Sequence, residues 1–220
     1  MKEIVMDASN KTGLREKNRN KRYQSIVQTA ERLFAESGLE NVKMQNIADE
    51  EGIGVATLFR YFPRKDKLIV AVATSIMEEE LYQFQLIINN TENAYKKFEK
   101  VFDFLSQIVT HASKNSTKFI DSFENYVAIS KEPLEDIDLY DAVREEIYIL
   151  MSTLIQEGSR DGSIRNNLNI KETMISFINN FGLFARKLAL MKAVNYYDVE
   201  VEPRRQLEIM KDLYLSHIKA

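Results

Sequence analysis

The sequence predicts an all-α protein of about nine helices. Apolar residues recur at helical spacing from Lys21 almost to the C-terminus, and no segment reads as a credible strand. Seven glycines and three prolines in 220 residues are too few for the many turns of a β-sandwich or barrel. A hydrophobic share of 45% with 29% charged residues places the chain among globular proteins long enough to bury a sizeable core.

The elements follow in order. Ile26, Ala30, Leu33 and Phe34 give one face to a first helix over residues 18–37, which Gly38 ends. A short helix over 44–51 has Ile47 and Ala48 inward and stops at Gly52. A second short helix, 55–61, closes at Pro63, because the residue before a proline is pushed out of the α region. Leu68, Val72 and Ile76 start a long helix near Lys65. Further helices are marked by Tyr95, Phe98, Phe102, Leu105 and Val109, and by Phe119, Phe123, Tyr126 and Val127. Beyond Pro133 and an acidic connection, Val143, Ile147, Leu150, Met151 and Leu154 mark the next, which ends at Gly158. A strongly apolar helix carries Met174, Phe177, Ile178, Phe181, Ala185 and Leu188, and Pro203 opens a last one with Leu207, Met210 and Tyr214.

Several chemistries are poorly provided for. Without cysteine there is no disulfide framework, thiolate zinc site or cysteine nucleophile. The two histidines, His111 and His217, stand far apart. Gly52-x-Gly54 lacks the third glycine of a dinucleotide loop and follows a helix. Glu132, Glu135, Asp136, Asp138 and Asp141 lack the glycine turn of a calcium loop and read as a solvated connection. The expectation is a non-enzyme with no metal and no cofactor. Residues 1–10 hold no signal-peptide core, and the longest uncharged stretch, 173–185, is too short to span a membrane. The chain therefore reads as cytoplasmic, with no membrane partner.

Charge is unevenly placed. Residues 1–67 carry thirteen Lys/Arg against ten Asp/Glu, whereas the remainder carries seventeen against twenty-three. Lys11, Arg15, Lys17, Arg19, Lys21 and Arg22 face only Glu16, so residues 1–17 are expected to form a flexible basic arm leading into this stretch. A basic head on an acidic body suits a polyanion at one end, although a solvated arm would look the same.

Residues 44–61 carry the most information. Two short helices, Ala48 small at their crossing, Gly52 in the turn and Ile53 and Leu58 inward describe a helix-turn-helix covered by Leu33 and Phe34. A second helix presented this way fits the DNA major groove. The pattern of Ala30, Leu33, Phe34, Gly38, Ile47-Ala48, Gly52-Ile53, Thr57-Leu58-Phe59, Tyr61-Phe62, Lys65 and Leu68, within residues 26–72, resembles the DNA-binding domain of the TetR family of transcriptional regulators. Residues 158–165, "GSRDGSIR", are similar to a loop common before that family's dimerisation helices. Three positions depart from the pattern. Val42 and Lys43 replace the usual capping Thr or Ser, so that the cap is either weakened or supplied by Asn41, with Lys43 free to reach a phosphate; Gly54-Val55 replaces Ser-Lys; and Phe59 replaces Tyr.

The resemblance implies a helix-turn-helix domain over 18–66 and a helical effector-binding and dimerisation domain over 67–220. It further implies a homodimer on operator DNA, most simply a repressor released from a palindromic site by a small, largely apolar ligand. Gln45, Val55, Ala56 and Arg60 are then expected near base edges, with Lys43, Thr57, Tyr61 and Lys65 on phosphates. Phe98, Phe102, Phe123, Tyr126, Phe177 and Phe181 could line a ligand pocket with Asn125 and Asn180 as polar selectors, or could simply pack the core. Met174, Ile178, Ala185, Leu207, Met210 and Tyr214 are expected to pair with a twofold mate. A DNA-binding scaffold of the same fold with no effector remains the alternative.

Overall fold

The computed structural model describes residues 2–110, 114–184, 188 and 202–220. Nine helices run through them: α1 (Lys2–Ser37), α2 (Met44–Glu50), α3 (Val55–Tyr61), α4 (Lys65–Ile88), α5 (Ala94–Thr110), α6 (Lys114–Ile129), α7 (Ile137–Asp161), α8 (Ile170–Phe177) and α9 (Pro203–Ile218). α8 continues through a π-helical turn, Ile178–Gly182. Among the described residues the sole extended pairing is an isolated bridge between Ile164 and Lys219. The all-α expectation holds.

α1 begins sixteen residues earlier than its apolar face predicts, at Lys2 rather than residue 18. The basic arm expected over residues 1–17 is thus drawn as a continuation of α1 from Lys2 onward. No proline and one glycine, Gly13, stand in this stretch, and residues 13–22 are all exposed and carry no apolar stripe. Where a helix is exposed on every side, as over residues 13–22, it leaves no periodic signature to read.

Two hydrophobic clusters form the interior. The first gathers Ile26, Ala30 and Phe34 of α1, Ile47 and Ala48 of α2, Leu58 of α3 and Leu68, Val72 and Ile76 of α4. Phe119, Ile120 and Phe123 of α6 and Tyr140 of α7 complete it. The second gathers Phe84 of α4, Phe98 and Phe102 of α5, Met151, Leu154 and Ile155 of α7, Met174, Phe177 and Phe181 of α8 and its π turn, and Leu207, Leu215 and Ile218 of α9. α4 thus starts in one cluster and ends in the other.

The turn after α7 ties α5, α7 and α9 together. Asp161 accepts from the Ala94 N–H at the start of α5 (3.0 Å) and from the Ser163 N–H (2.8 Å). The Arg165 N–H reaches the Ile218 carbonyl at the end of α9 (3.0 Å). Nearby, the buried Lys97 of α5 meets Glu157 of α7 at 2.8 Å. Gly158 lets Ile164 fold back onto α7: a Cβ there would lie 2.5 Å from the Ile164 Cδ1 and Cγ1. Gly158→Ala is therefore expected to destabilise the fold by about 1–3 kcal/mol, read as a lower urea midpoint at unchanged slope.

Candidate nucleic-acid interface

α2 and α3 are held from one side and open on the other. α2 ends in a Schellman turn in which Gly52 adopts φ +63°, a conformation that side chains with a Cβ resist. The Ile53 N–H bonds the Ala48 carbonyl (2.9 Å) and the Gly52 N–H bonds the Asp49 carbonyl (3.1 Å). The same end is fixed to α1, because Glu51 accepts from the hydroxyls of Ser25 (2.9 Å to Oε2) and Thr29. Arg32 of α1 also pairs with Glu50.

The start of α2 shows how the missing Thr or Ser is replaced. Lys43 occupies the cap, and an ammonium has no acceptor to offer a helix N–H. Asn46 instead reaches back, its Oδ1 accepting from the Lys43 N–H at 2.8 Å, which is one half of a capping box. Asn41 does not cap α2 as expected. Its amide donates to the Ser37 carbonyl (2.8 Å) and so closes α1.

Leu58 is the buried residue of α3, and the Phe62 ring just beyond lies 5.0 Å from Tyr23 of α1. With that side fixed, Ala56, Phe59 and Arg60 are exposed, as are Lys43 and Gln45 of α2. The Gln45 amide donates to Asp49 (2.6 Å) and the Arg60 guanidinium to the Thr57 hydroxyl (3.2 Å), contacts on the surface that hold both side chains at the open face. Val55, Thr57 and Tyr61 are half-buried, with Val55 and Tyr61 packed against the core. Phe59 was not among the expected contact residues, yet 43% of it is exposed on α3. Its signal was the position on the open face, outweighed by the absence of a hydroxyl.

Lys65, expected on a phosphate, turns inward. Its Nζ lies 3.4 Å from the Glu40 carbonyl and 5.9 Å from the centre of the Phe34 ring. Burial lowers its pKa from the ordinary lysine value, against the opposite pull of Asp66 and Glu40. Its neighbours at the start of α4 face the body. The Tyr126 hydroxyl of α6 donates to Asp66 (2.8 Å), a bond that raises its own pKa. Lys67 pairs with Glu135 (3.1 Å) and Asp136 (2.8 Å).

The expected pocket residues fall into two places. Phe98, Phe102, Phe177 and Phe181 meet in the second cluster, where the Phe102 ring lies 4.9 Å from Phe177 and 4.8 Å from Phe181, edge to face. Phe123 and Tyr126 pack instead with the first cluster. Asn125 and Asn180 are exposed and donate to the carbonyls of Asp121 (2.9 Å) and Ser176 (2.8 Å) on their own helices. The expected pairing residues also divide. Met174 and Leu207 are buried within the chain, and Ile178, Met210 and Tyr214 pack against that same cluster, whereas Ala185 lies outside the described residues. α9 has an intrachain partner after all, since Leu207, Leu215 and Ile218 face the second cluster and Lys211 pairs with Asp103 of α5 at 2.5 Å. What α8, the residue after its π turn and α9 leave outward is Ile175, Leu183, Ile209 and Leu213, between 44% and 61% exposed. Periodicity locates an apolar face but does not say whether the partner belongs to the same chain.

A short helix anchored by one leucine, opposite a turn fixed by a left-handed glycine, is the geometry of a helix-turn-helix DNA-binding head. Residues 26–72 match the model for bacterial regulatory proteins of the tetR family. HTH-type transcriptional regulator SAB2452 of Staphylococcus aureus (strain bovine RF122 / ET3-1) is 36% identical over 84 residues, 38% of this chain and 45% of that protein. The chain thus spans under half the length of the curated relatives it matches. Over 89% of this chain and 99% of the other, the fold superposes on the transcriptional regulator FadR from Bacillus subtilis in complex with stearoyl-CoA, with a TM-score of 0.68 at 16% identity. AibR in complex with isovaleryl coenzyme A and operator DNA gives 0.60 at 19% identity, over 87% of this chain and 97% of that one. At such identities the likeness is one of fold. What the family model identifies is the segment of residues 26–72, which carries α2, α3 and the residues of α1 that cover them.

The back-reaching bond at the start of α2 has a measurable consequence. Asn46→Ala is expected to cost about 1 kcal/mol, seen as a lower thermal midpoint, while Asn46→Asp restores most of it.

Proposed function

We propose that this protein is a dimeric transcriptional regulator that holds a palindromic operator through α3 and is released from it, as a repressor, by a small and largely apolar ligand. The observation that carries the reading is the open face of Gln45, Ala56, Phe59 and Arg60, set on helices whose other side is buried. An arginine there suits guanine N7 and O6, and an exposed phenylalanine suits a thymine methyl. Lys43 stands at the edge of this face, where a phosphate would lie.

Dimerisation is supported by the outward apolar residues of α8 and α9. Ile209 and Leu213, four apart, mark one face of α9, and Ile175 on α8 and Leu183 just past its π turn are exposed as well. Two such helices meeting a twofold mate make a four-helix bundle. The ligand reading rests on the second cluster, where α8 breaks into a π turn that brings Phe181 against Phe102. The complexes of FadR with stearoyl-CoA and AibR with isovaleryl coenzyme A point to an acyl chain as the first class to try. The interlocking of these rings favours a second reading, a scaffold whose core is permanently filled.

On a duplex enriched by the protein from a randomised library, Arg60→Ala is expected to lose about 1–3 kcal/mol of binding and to relax preference at one base position. Unchanged affinity and preference would remove α3 from the reading role. Ile209→Glu with Leu213→Glu should give helical monomers by sedimentation that no longer hold the duplex. An acyl-CoA series should release the wild-type protein from DNA. If no member does so or raises the melting temperature, the scaffold reading stands.

A further inference from the structure

We propose that the N-terminal extension of α1 is a second DNA contact, a helical arm that lies on the phosphate backbone beside the stretch read by α3. The inference rests on the DNA-binding reading above and adds to it a surface outside the helix-turn-helix. Residues 13–22 are exposed and carry Arg15, Lys17, Arg19, Lys21 and Arg22 against Glu16 alone. They belong to the same unbroken helix as the residues that cover α2 and α3.

Helical register fixes where the arginines point. Residues seven apart lie within about 20° of one face. Arg15 and Arg22 precede Thr29 by two and one such steps, and the Thr29 hydroxyl bonds Glu51 at the end of α2. Arg19 precedes by one step Ile26, which is fully buried in the cluster shared with α2 and α3. The side of α1 that packs against the helix-turn-helix therefore continues outward as Arg22, Arg19 and Arg15. Glu16 falls about 100° from Arg15, off this stripe. The extension leaves the head at Tyr23, whose ring meets Phe62 just past α3. A duplex seated on α3 runs on toward the stripe.

The dimensions suit a phosphate run. Arg15 to Arg22 spans about 10 Å of helix at ~1.5 Å per residue. One strand places a phosphate about every 3.4 Å along the duplex axis, so about three phosphates fall within that length. The rest of the chain is acidic by contrast, since residues 68–220 hold seventeen Lys/Arg against twenty-three Asp/Glu. Contacts to phosphate carry no sequence information, so the arm raises affinity for every duplex alike.

The test uses the full chain and two duplexes of equal length, one enriched by the wild type and one unrelated. Binding is followed from ~50 to ~200 mM salt for the wild type, for Arg15→Gln/Arg19→Gln/Arg22→Gln, and for the corresponding triple lysine variant. Glutamine keeps helix propensity close to that of arginine, and circular dichroism checks that the fold is intact. The glutamine variant is expected to lose about two to three units of the log–log salt slope per protomer, with affinity falling by the same factor on both duplexes. The lysine variant keeps the wild-type slope. An unchanged slope in the glutamine variant overturns the arm while leaving α3 as the reader. Loss confined to the enriched duplex overturns it too, because that would be base reading. A wild type that binds neither duplex removes the DNA-binding reading and the arm with it.

Discussion

Two seven-residue helices have no stability of their own in water, where a nucleus must be formed before any helix can propagate. Everything proposed for α2 and α3 depends on the apolar cover that α1 supplies. Leu58, Ile47 and Ala48 are fully buried with Ile26, Ala30 and Phe34, and each large aliphatic side chain so buried contributes about 1.5–3 kcal/mol. Because the buried side alone sets the position of α3, its outward residues are free to serve recognition. That division explains why Val55 and Tyr61, on the flanks, are half-buried while Ala56, Phe59 and Arg60 are open.

The cover does not stop at the head. Phe34 meets Phe119 at 5.9 Å, Phe119 stacks on Phe123, and Phe123 meets Tyr140 of α7 at 4.9 Å edge to face. Around this run of rings sit polar links: Tyr126 to Asp66, and Lys67 to Glu135 and Asp136. Asp136 holds its place with φ +65°, a left-handed backbone conformation that, glycine aside, asparagine and aspartate adopt most readily. Partly exposed ion pairs are worth only about 0–1 kcal/mol each, so the rings carry the stability and the polar links fix the orientation of α4. A ligand among the rings of the second cluster could move the head only by changing this shared packing, and only by its difference in affinity for two arrangements.

Much of this was legible in the sequence, and the failures have a common cause. Periodicity found every helix, and the spacing of Gly52, Leu58 and Lys65 identified the head. α2 and α3 were placed to within one residue because their turn chemistry is local. The extension of α1 was missed because Arg15, Arg19 and Arg22 bury nothing and leave no apolar rhythm. At Lys65 the charge is visible in sequence, whereas the Glu40 carbonyl beside it is not. Phe123 and Phe102 look alike as entries on a helical face, yet one packs under the head and the other against Phe181. Met174 and Leu207 were given to a partner chain, whereas their neighbours Ile175 and Ile209 are the outward ones. A one-residue step on a helix turns a side chain by about 100°, and sequence alone does not say which face the chain uses for itself.

The central claim is that a pair of these heads reads DNA in register. Enrichment of randomised duplexes by the full-length protein tests it most directly. The account predicts an enriched inverted repeat whose half-site centres lie about 34 Å apart, or a multiple of that distance, on one side of the duplex. Recovery of no common sequence, or of a single unrepeated site bound by one chain, would contradict it.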